Sequence, residues 1–282
     1  MERLTASEEM RSWSREVRRG GKRLAFVPTM GALHEGHLFL VHTAREQADR
    51  VVVSVFVNPT QFGPGEDFEH YPRDTERDAA LLAGAGTDAV WFPATEDLYP
   101  EGATTWVVET GLSARLEGEA RPGHFRGVTT VVAKLLQVVE PDLLVMGQKD
   151  AQQAAVVGRM LRDLKSPVEL VVAPTRRESD GLALSSRNAY LSASERRQAV
   201  CLWEALQGAR DAWRVGEEDP EEVVRRMMAR ITAEPDTTVD YAAVVDPETF
   251  ESAERLQAGT LLLLAVRVGK TRLIDNLPLD GG

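Results

Sequence analysis

The sequence predicts an α/β fold: a parallel sheet with helices on both faces, followed by a smaller α+β domain. Three observations carry that expectation. Through the first 175 residues, short apolar runs of strand character alternate with longer segments of helical period, joined by short connections. One run, "VVVSVFV" at 51–57, is too rich in β-branched residues for a comfortable helix and has no polar face, as a strand covered on both sides requires. Beyond about residue 175 the order changes to helices first and strands afterwards.

The elements follow in order. Thr5 and Glu8 are spaced as a capping box, Met10, Trp13 and Val17 recur at helical spacing, and Gly20-Gly21 stops that helix. "RLAFVPT" (23–29) is a buried strand, and "HLFLVHTAREQA" (37–48) is the helix behind the loop that follows. After the strand "VVVSVFV" comes "RDTERDAALLAGAG" (73–86), a helix with a glycine exit, and then the short strand "AVWF" (89–92). "FRGVTTVVAKLLQVV" (125–139) is helical by its length and its Lys-Leu-Leu centre, despite its β-branched residues. The strand "DLLVMG", the helix "DAQQAAVVGRMLRDL" and the strand "VELVVA" complete the alternation. In the second part, "SASERRQAVCLWEALQGARDAWRVG" (192–216) and "PEEVVRRMMARITAE" (220–234) predict helices. "TVDYAAVVD", "TLLLLAVRVG" and "TRLIDNL" predict strands.

Composition excludes several function classes. A net charge of −11 argues against a broad nucleic-acid surface, which needs clustered Lys and Arg, though a small basic pocket for a small anion is compatible with it. Cys201 is the sole cysteine, so an internal disulfide is impossible, and its helical context predicts a buried structural thiol. The N-terminus has no apolar stretch behind a basic start, and "LLLLAV" at 261–266 is too short to span a bilayer. A cytoplasmic protein is expected.

In parallel sheets covered by helices, ligands bind beyond the carboxyl ends of the strands. "PTMGALHEGH" (28–37), "NPTQFGPG" (58–65) and "GQKD" (147–150) each follow a predicted strand and so belong on that one edge. His34 and His37 are three residues apart, whereas a metalloprotease helix sets its two histidines four apart, so metal ligation is the weaker reading. A Gly-containing turn from strand into helix offers backbone N–H groups and a positive dipole end, which suits phosphate. Imidazoles beside that end can donate to charge developing on phosphate oxygens.

"HEGH" resembles the HIGH signature of the nucleotidylyltransferase and class I aminoacyl-tRNA synthetase superfamily. The longer "PTMGALHEGH", with "FVNPTQFGPGEDFEHYPRD", "RPGHFRGVTTVVAKLL", "GQKDAQQ" and "DGLALSSRNAYLS", resembles the pantothenate synthetase family, block after block from residue 28 to 192. The resemblance implies a Rossmann-like domain over residues 1–175 that binds ATP and pantoate, and a smaller domain over 176–282 that closes over the site. It implies ATP-dependent joining of pantoate to β-alanine through a pantoyl adenylate, with release of pyrophosphate and AMP. Mg²⁺ is expected with the ATP phosphates, and a homodimer is a family expectation.

Roles carry over position by position. Met30, Gly31, Ala32, Leu33, His34, Glu35, Gly36 and His37 match the family's ATP-binding stretch, with His34 and His37 stabilising the transferring phosphate. Gly147, Gln148, Lys149 and Asp150 match a further nucleotide stretch, in which Lys149 sets an ammonium near the phosphates. Leu184, Ser185, Ser186 and Arg187 match its phosphate loop, where Arg187 can fork onto phosphate oxygens. Gln61 and Gln153 match the pantoate-binding glutamines. The family usually has an apolar residue where this chain has Arg176, at a position expected to contact adenine through backbone. Asn58 has a turn-forming reading, and Arg121, His124 and Arg126 that of a flap or a polar loop. Val131 and Val132 line either the pantoate pocket or the core. The rival readings are a simple nucleotidylyltransferase acting on a phosphorylated acceptor, and a non-catalytic nucleotide- or RNA-binding module.

Overall fold

Six strands lie side by side, all parallel, in the order β1-β4-β3-β2-β5-β6. They are β1 Glu2–Leu4, β2 Leu24–Thr29, β3 Arg50–Val55, β4 Ala89–Trp91, β5 Leu143–Gly147 and β6 Glu169–Ala173. The structure is a computed structural model and describes residues 1–280. Between the strands run α1 Ser7–Arg19, α2 Glu35–Gln47, α3 Thr75–Gly84, α4 Thr95–Leu98, α5 Glu117–Ala120, α6 His124–Val139 and α7 Ala151–Asp163.

The strand alternation sorts side chains onto two faces. Phe26, Val52 and Leu144 pack with Met10 of α1, Val128 and Leu135 of α6, and Val157 and Met160 of α7. Their neighbours Ala25, Val27, Val51, Val53, Leu143 and Val145 pack with Val41 and Ala44 of α2 and Leu82 of α3. Handedness explains the division. The chain steps from β2 to β3 to β4 in one direction and from β5 to β6 in the other, so right-handed crossovers put their helices on opposite faces.

That reversal also makes a crevice. β2 pairs with β3 through Thr29, but with β5 only at Ala25 and Phe26, opposite Leu143 and Leu144. Beyond those pairs β2 and β5 part, and their carboxyl ends, Thr29 and Gly147, flank the opening where ligands of such sheets bind.

The chain divides into two units. One comprises Met1–Gly147 and Val156–Pro174, and the other Gln148–Ala155 and Thr175–Gly282, of which residues 281 and 282 lie outside the described range. The second unit contains α8 Ala193–Gln198, α9 Cys201–Arg214 and α10 Pro220–Thr232, then an antiparallel sheet of β7 Thr237–Val245, β8 Leu261–Val268 and β9 Thr271–Pro278. Leu202, Leu206, Met227 and Ile231 from the helices meet Leu262, Leu264 and Val266 from β8 in its core. Cys201 is buried there, and burial pushes its thiol up to about 12, which leaves it inert.

Three details depart from expectation. The first helix starts later, and Glu9, not Glu8, accepts from the backbone N–H groups of Thr5 and Ala6, because the cap position is Ala6 and the third helical residue is Glu9. The predicted helix over 192–216 is two helices, since Leu202 N–H bonds Ala199 three residues back and the chain turns at Ala199–Val200. Residues 148–155, expected in the first domain, group with the C-terminal unit, where Asn276 of β9 holds the backbone of Gln148 and Lys149. Among the described residues, no helix is long and apolar enough to cross a membrane.

Candidate active site

In the first unit the site begins where β2 ends. Thr29 Oγ1 donates to the Ser54 carbonyl at 2.8 Å and accepts from Gly31 N at 3.3 Å. Gly31 and Ala32 then both take left-handed backbone, with φ of 84° and 50°. Asp78 of α3 keeps them there: its buried carboxylate accepts from Ala32 N at 3.0 Å and Leu33 N at 2.9 Å. Two N–H groups of this turn, those of Ala32 and Leu33, thus serve an internal anion. A Cβ on Gly31 would sit 2.9 Å from Asp78 Oδ2, so glycine is required. Burial pushes the Asp78 carboxyl above its ordinary range, opposed by the Leu33 and Ala32 N–H groups.

His34 caps α2, its Nδ1 accepting from Gly36 N at 3.1 Å. The backbone N–H of His34 donates to His37 Nδ1 at 3.4 Å, and the two rings lie 4.1 Å apart, centroid to centroid. Because each Nδ1 accepts, each neutral ring carries its hydrogen on Nε2. The turn thus holds two imidazole Nε2–H donors side by side.

The second loop is built around Asn58, which is buried. Its Oδ1 accepts from Thr60 N, Thr60 Oγ1 and the Tyr99 hydroxyl, and its Nδ2 donates to the Gly127 carbonyl at 3.2 Å and Gln61 Oε1 at 3.1 Å. That last bond orients the Gln61 amide, whose Nε2 lies 2.9 Å from Met30 Sδ. Gln61 and the first turn are thereby brought together, as expected of loops on one edge. Gly127 lets α6 approach this loop: a Cβ there would sit 2.5 Å from the Thr60 carbonyl carbon and 2.7 Å from Gln61 Cα.

Arg121 and His124 fasten the same loop from behind. Arg121 forks onto Glu66, with Nε to Oε1 and Nη2 to Oε2 both 2.7 Å, and donates through Nη1 to His124 Nε2 at 3.1 Å. His124 Nδ1–H donates to the Gln61 carbonyl at 2.8 Å. Burial would raise the Glu66 carboxyl, but the Arg121 fork and Gly63 N–H outweigh it and hold Glu66 at about 2. Burial, then the Arg121 charge, lowers His124 to about 4, so this ring is neutral at physiological pH. Arg126 is exposed and stacks over Trp106 at 4.6 Å. Val131 and Val132 lie in the core of this unit.

In the second unit, the turn Gln148–Asp150 enters α7. Lys149 Nζ lies 3.6 Å from Asp150 Oδ1. Asn276, 2% exposed, donates through Nδ2 to the Gln148 and Lys149 carbonyls, both at 2.9 Å, and accepts at Oδ1 from Gln148 Nε2 at 3.0 Å. Its neighbour Asp275 is held by both Nη atoms of Arg177, at 2.6 and 2.9 Å, while that guanidinium lies 3.8 Å over the Trp203 ring. Gly181 makes room for Trp203, since a Cβ there would collide with the indole. Arg176 is exposed, and its carbonyl accepts from Leu184 N at 2.9 Å. Ser185 caps the short turn Ser186–Tyr190 by accepting from Arg187 N at 3.3 Å. Gln153 is half-buried on the first turn of α7.

Reasoning from sequence missed Asp78, Glu66, Arg177, Asp275 and Asn276. Asp78 carried a signal, being an acid beside Ala79 and Leu82 on the apolar side of its helix. Asp275 and Asn276 carried one too, as consecutive polar residues inside the strand "TRLIDNLP". Among the described residues, no three His, Cys, Asp or Glu side chains cluster as a protein-held metal would need.

Known proteins resemble this chain in sequence and in fold. The sequence profile of the pantoate-beta-alanine ligase family matches residues 2–278. The chain is 52% identical to the pantothenate synthetase of Moorella thermoacetica over 280 residues, 99% of each chain. The crystal structure of pantothenate synthetase from Thermus thermophilus superposes with a TM-score of 0.94 at 47% identity, covering 99% of this chain and 100% of that one. A pantoate-beta-alanine ligase from Francisella tularensis, solved in complex with beta-gamma ATP and beta-alanine, matches at 0.82 and 32% identity, covering 100% and 99% of the two chains. In sequence and in fold, over nearly its whole length, the chain belongs to the pantoate–β-alanine ligase family.

Proposed function

We propose that this chain joins pantoate to β-alanine at the expense of ATP through a pantoyl adenylate, with the residues above in defined roles. The observation that carries those roles is the pairing of His34 and His37 on the turn whose Met30 meets the oriented Gln61 amide, at the carboxyl edge of the sheet. The Francisella relative, crystallised with an ATP compound and β-alanine, supports the same substrates here.

In the first step a pantoate carboxylate oxygen attacks the α-phosphorus, the bond to the bridging oxygen breaks, and pyrophosphate leaves. Nucleotidyl transfer of this kind rests on positioning and charge stabilisation. His34 and His37 donate to the phosphate oxygens as charge shifts onto them, and neither needs to give up its proton. Lys149 and Arg187 supply positive charge, the hydroxyls of Ser185 and Ser186 supply donors in the phosphate loop that Leu184 opens, and main chain at Arg176 contacts adenine. Asn58 occupies the carbonyl end of the Gln61 amide, so the donating end is presented to pantoate, with Gln153 as its counterpart. An amide holds the nucleophile without a charge that would bind it too tightly. In the second step the β-alanine amine attacks the acyl carbon, the acyl–oxygen bond breaks, AMP leaves and the amine loses a proton.

Mg²⁺ would arrive with the ATP phosphates, and the Asp150 carboxylate, 3.6 Å from Lys149 Nζ, could meet it there. A cytoplasmic homodimer is the accompanying family expectation, tested by light scattering and cell fractionation.

The test is isotope exchange. Labelled pyrophosphate is expected to enter ATP when pantoate is present and β-alanine absent. Exchange that requires β-alanine, or release of ADP in place of AMP, would refute the adenylate.

A further inference from the structure

Lys149 sits on a short turn, where a flexible ammonium gains little from charge alone unless its backbone is held. One side chain holds it by donating two hydrogen bonds and accepting a third: Asn276 Nδ2 donates to the carbonyls of Gln148 and Lys149, and Gln148 Nε2 donates to Asn276 Oδ1. The Asn276 amide is almost wholly buried, and its orientation is unambiguous, because the two carbonyls need a donor and the Gln148 amide nitrogen needs an acceptor. Its own backbone is fixed in turn. Asn276 N donates to Asp275 Oδ1 at 2.7 Å, Arg177 Nη2 donates to the Asn276 carbonyl at 3.2 Å, and Asn276 lies opposite Leu263 of β8 in the sheet register. Arg177 is itself forked onto Asp275 and stacked on Trp203. A strand about 125 residues further along the chain therefore sets the main-chain conformation at the residue assigned to the ATP phosphates.

We infer that Asn276 is a positioning residue for Lys149: its paired donations to the Gln148 and Lys149 carbonyls aim the ammonium at the nucleotide phosphates. The inference rests on the phosphate role proposed for Lys149. Bulk stability of β9 would explain an asparagine that bonds within its own sheet. It does not explain one whose side chain is spent entirely on the turn.

The experiment is a double-mutant cycle on kcat/KM for ATP with N276A, K149A and the double variant, with melting temperatures recorded. N276D is measured alongside, because it keeps the shape and the acceptor for Gln148 but has no N–H to donate. V266A, in the buried core of the same small sheet, is the control for general loosening. A misplacement of about 1 Å lowers rates by up to about a hundredfold, so N276A and N276D are expected to lose about tenfold or more in kcat/KM for ATP. KM for β-alanine should stay within about twofold, and N276A should have less than about a twofold effect once Lys149 is already alanine. V266A should lower the melting temperature and leave KM for ATP unchanged. If N276A does not fold, N276D carries the cycle in its place. A loss from N276A that multiplies undiminished onto K149A overturns the positioning role, as does parent-like kinetics in both Asn276 variants. Parent-like activity of K149A alone overturns the phosphate role of Lys149 itself, a result distinct from the other two.

Discussion

Replacing Gly127 by alanine tests how the proposed pantoate side of the site is held. The added Cβ would lie 2.5 Å from the Thr60 carbonyl carbon and 2.7 Å from Gln61 Cα, against the 3.4 Å at which ordinary contact begins. The atoms in the way are backbone on a turn anchored by Asn58, so no side-chain tip can swing aside. Either α6 or the turn must move by nearly an ångström. Overpacking of that kind costs about 1–3 kcal/mol, and loss of the bond from Asn58 Nδ2 to the Gly127 carbonyl adds about 1 kcal/mol. The gain in helix propensity over glycine offsets about 1 kcal/mol of this. The net loss of about 1–3 kcal/mol corresponds to a melting temperature lower by about 3–10 °C. Since Gln61 moves with the turn, kcat/KM for pantoate should fall by about ten- to a hundredfold, and binding of ATP far less. Scanning calorimetry and initial rates at varied pantoate and varied ATP measure both effects. The matched control is G208A in α9, where a Cβ meets nothing within 4 Å; it should gain up to about 1 kcal/mol. A G127A variant with the parent's melting temperature and pantoate kinetics would refute the assignment of Gly127 as the contact that sets Gln61.

H37A should lose about 2–4 kcal/mol of transition-state stabilisation, the scale of one lost oxyanion-type donor, with little change in melting temperature; near-normal rates would remove His37 from the phosphate. Q153E keeps the shape of its parent but replaces a donor with an anion, so calorimetric pantoate binding should weaken by about 1–3 kcal/mol and ATP binding much less; equal losses would move Gln153 to the nucleotide site. Acid should destabilise the fold in two stages. His124, held at about 4 against an ordinary 6.5, stays neutral in the folded chain while the unfolded chain takes up a proton, so its contribution, about 3 kcal/mol, drains away as pH falls from 6.5 to 4. Glu66, held at about 2 against 4.5, contributes above pH 4.5 and loses that contribution below it. Asp78, raised by burial, works in the opposite sense and softens the slope. Urea midpoints across pH 7 to about 2 follow these changes, and H124N should flatten the upper stage; an unchanged slope in that variant would mean the titrating group lies elsewhere.

What could be read from the residues alone follows physical range. Strand "VVVSVFV" declared itself through its composition and the helix read at 125–139 through its length and Lys-Leu-Leu centre, and the carboxyl-edge rule placed the loop of Gln61 beside the turn of Met30, where the two meet. The parts that escaped are held by partners distant in sequence. Asp78 meets Ala32 and Leu33 across more than forty residues, and Asn276 meets Lys149 across well over a hundred. No window of sequence contains both partners. The three-residue β1 escaped for a different reason, being too short to show any period and existing only because β4 offers it an edge. The Thr5–Glu8 spacing was off by one residue because a helix start is set by the cap, and Ala6 gives no side-chain signal of its own.

Asp78 has a thermodynamic consequence for the turn proposed to hold the nucleotide. By holding Ala32 and Leu33, its carboxylate acts as a resident counter-ligand that is in place before any phosphate arrives. The left-handed backbone at Gly31 and Ala32 is thus ordered during folding, and in the proposed site ATP would not have to meet a conformational-entropy cost of about 1–2 kcal/mol for each residue it would otherwise freeze. Without that carboxylate the turn would need a visiting anion to take its shape. In D78A, inorganic phosphate or sulfate should therefore raise the melting temperature more than in the parent, and ATP affinity should depend more steeply on those salts.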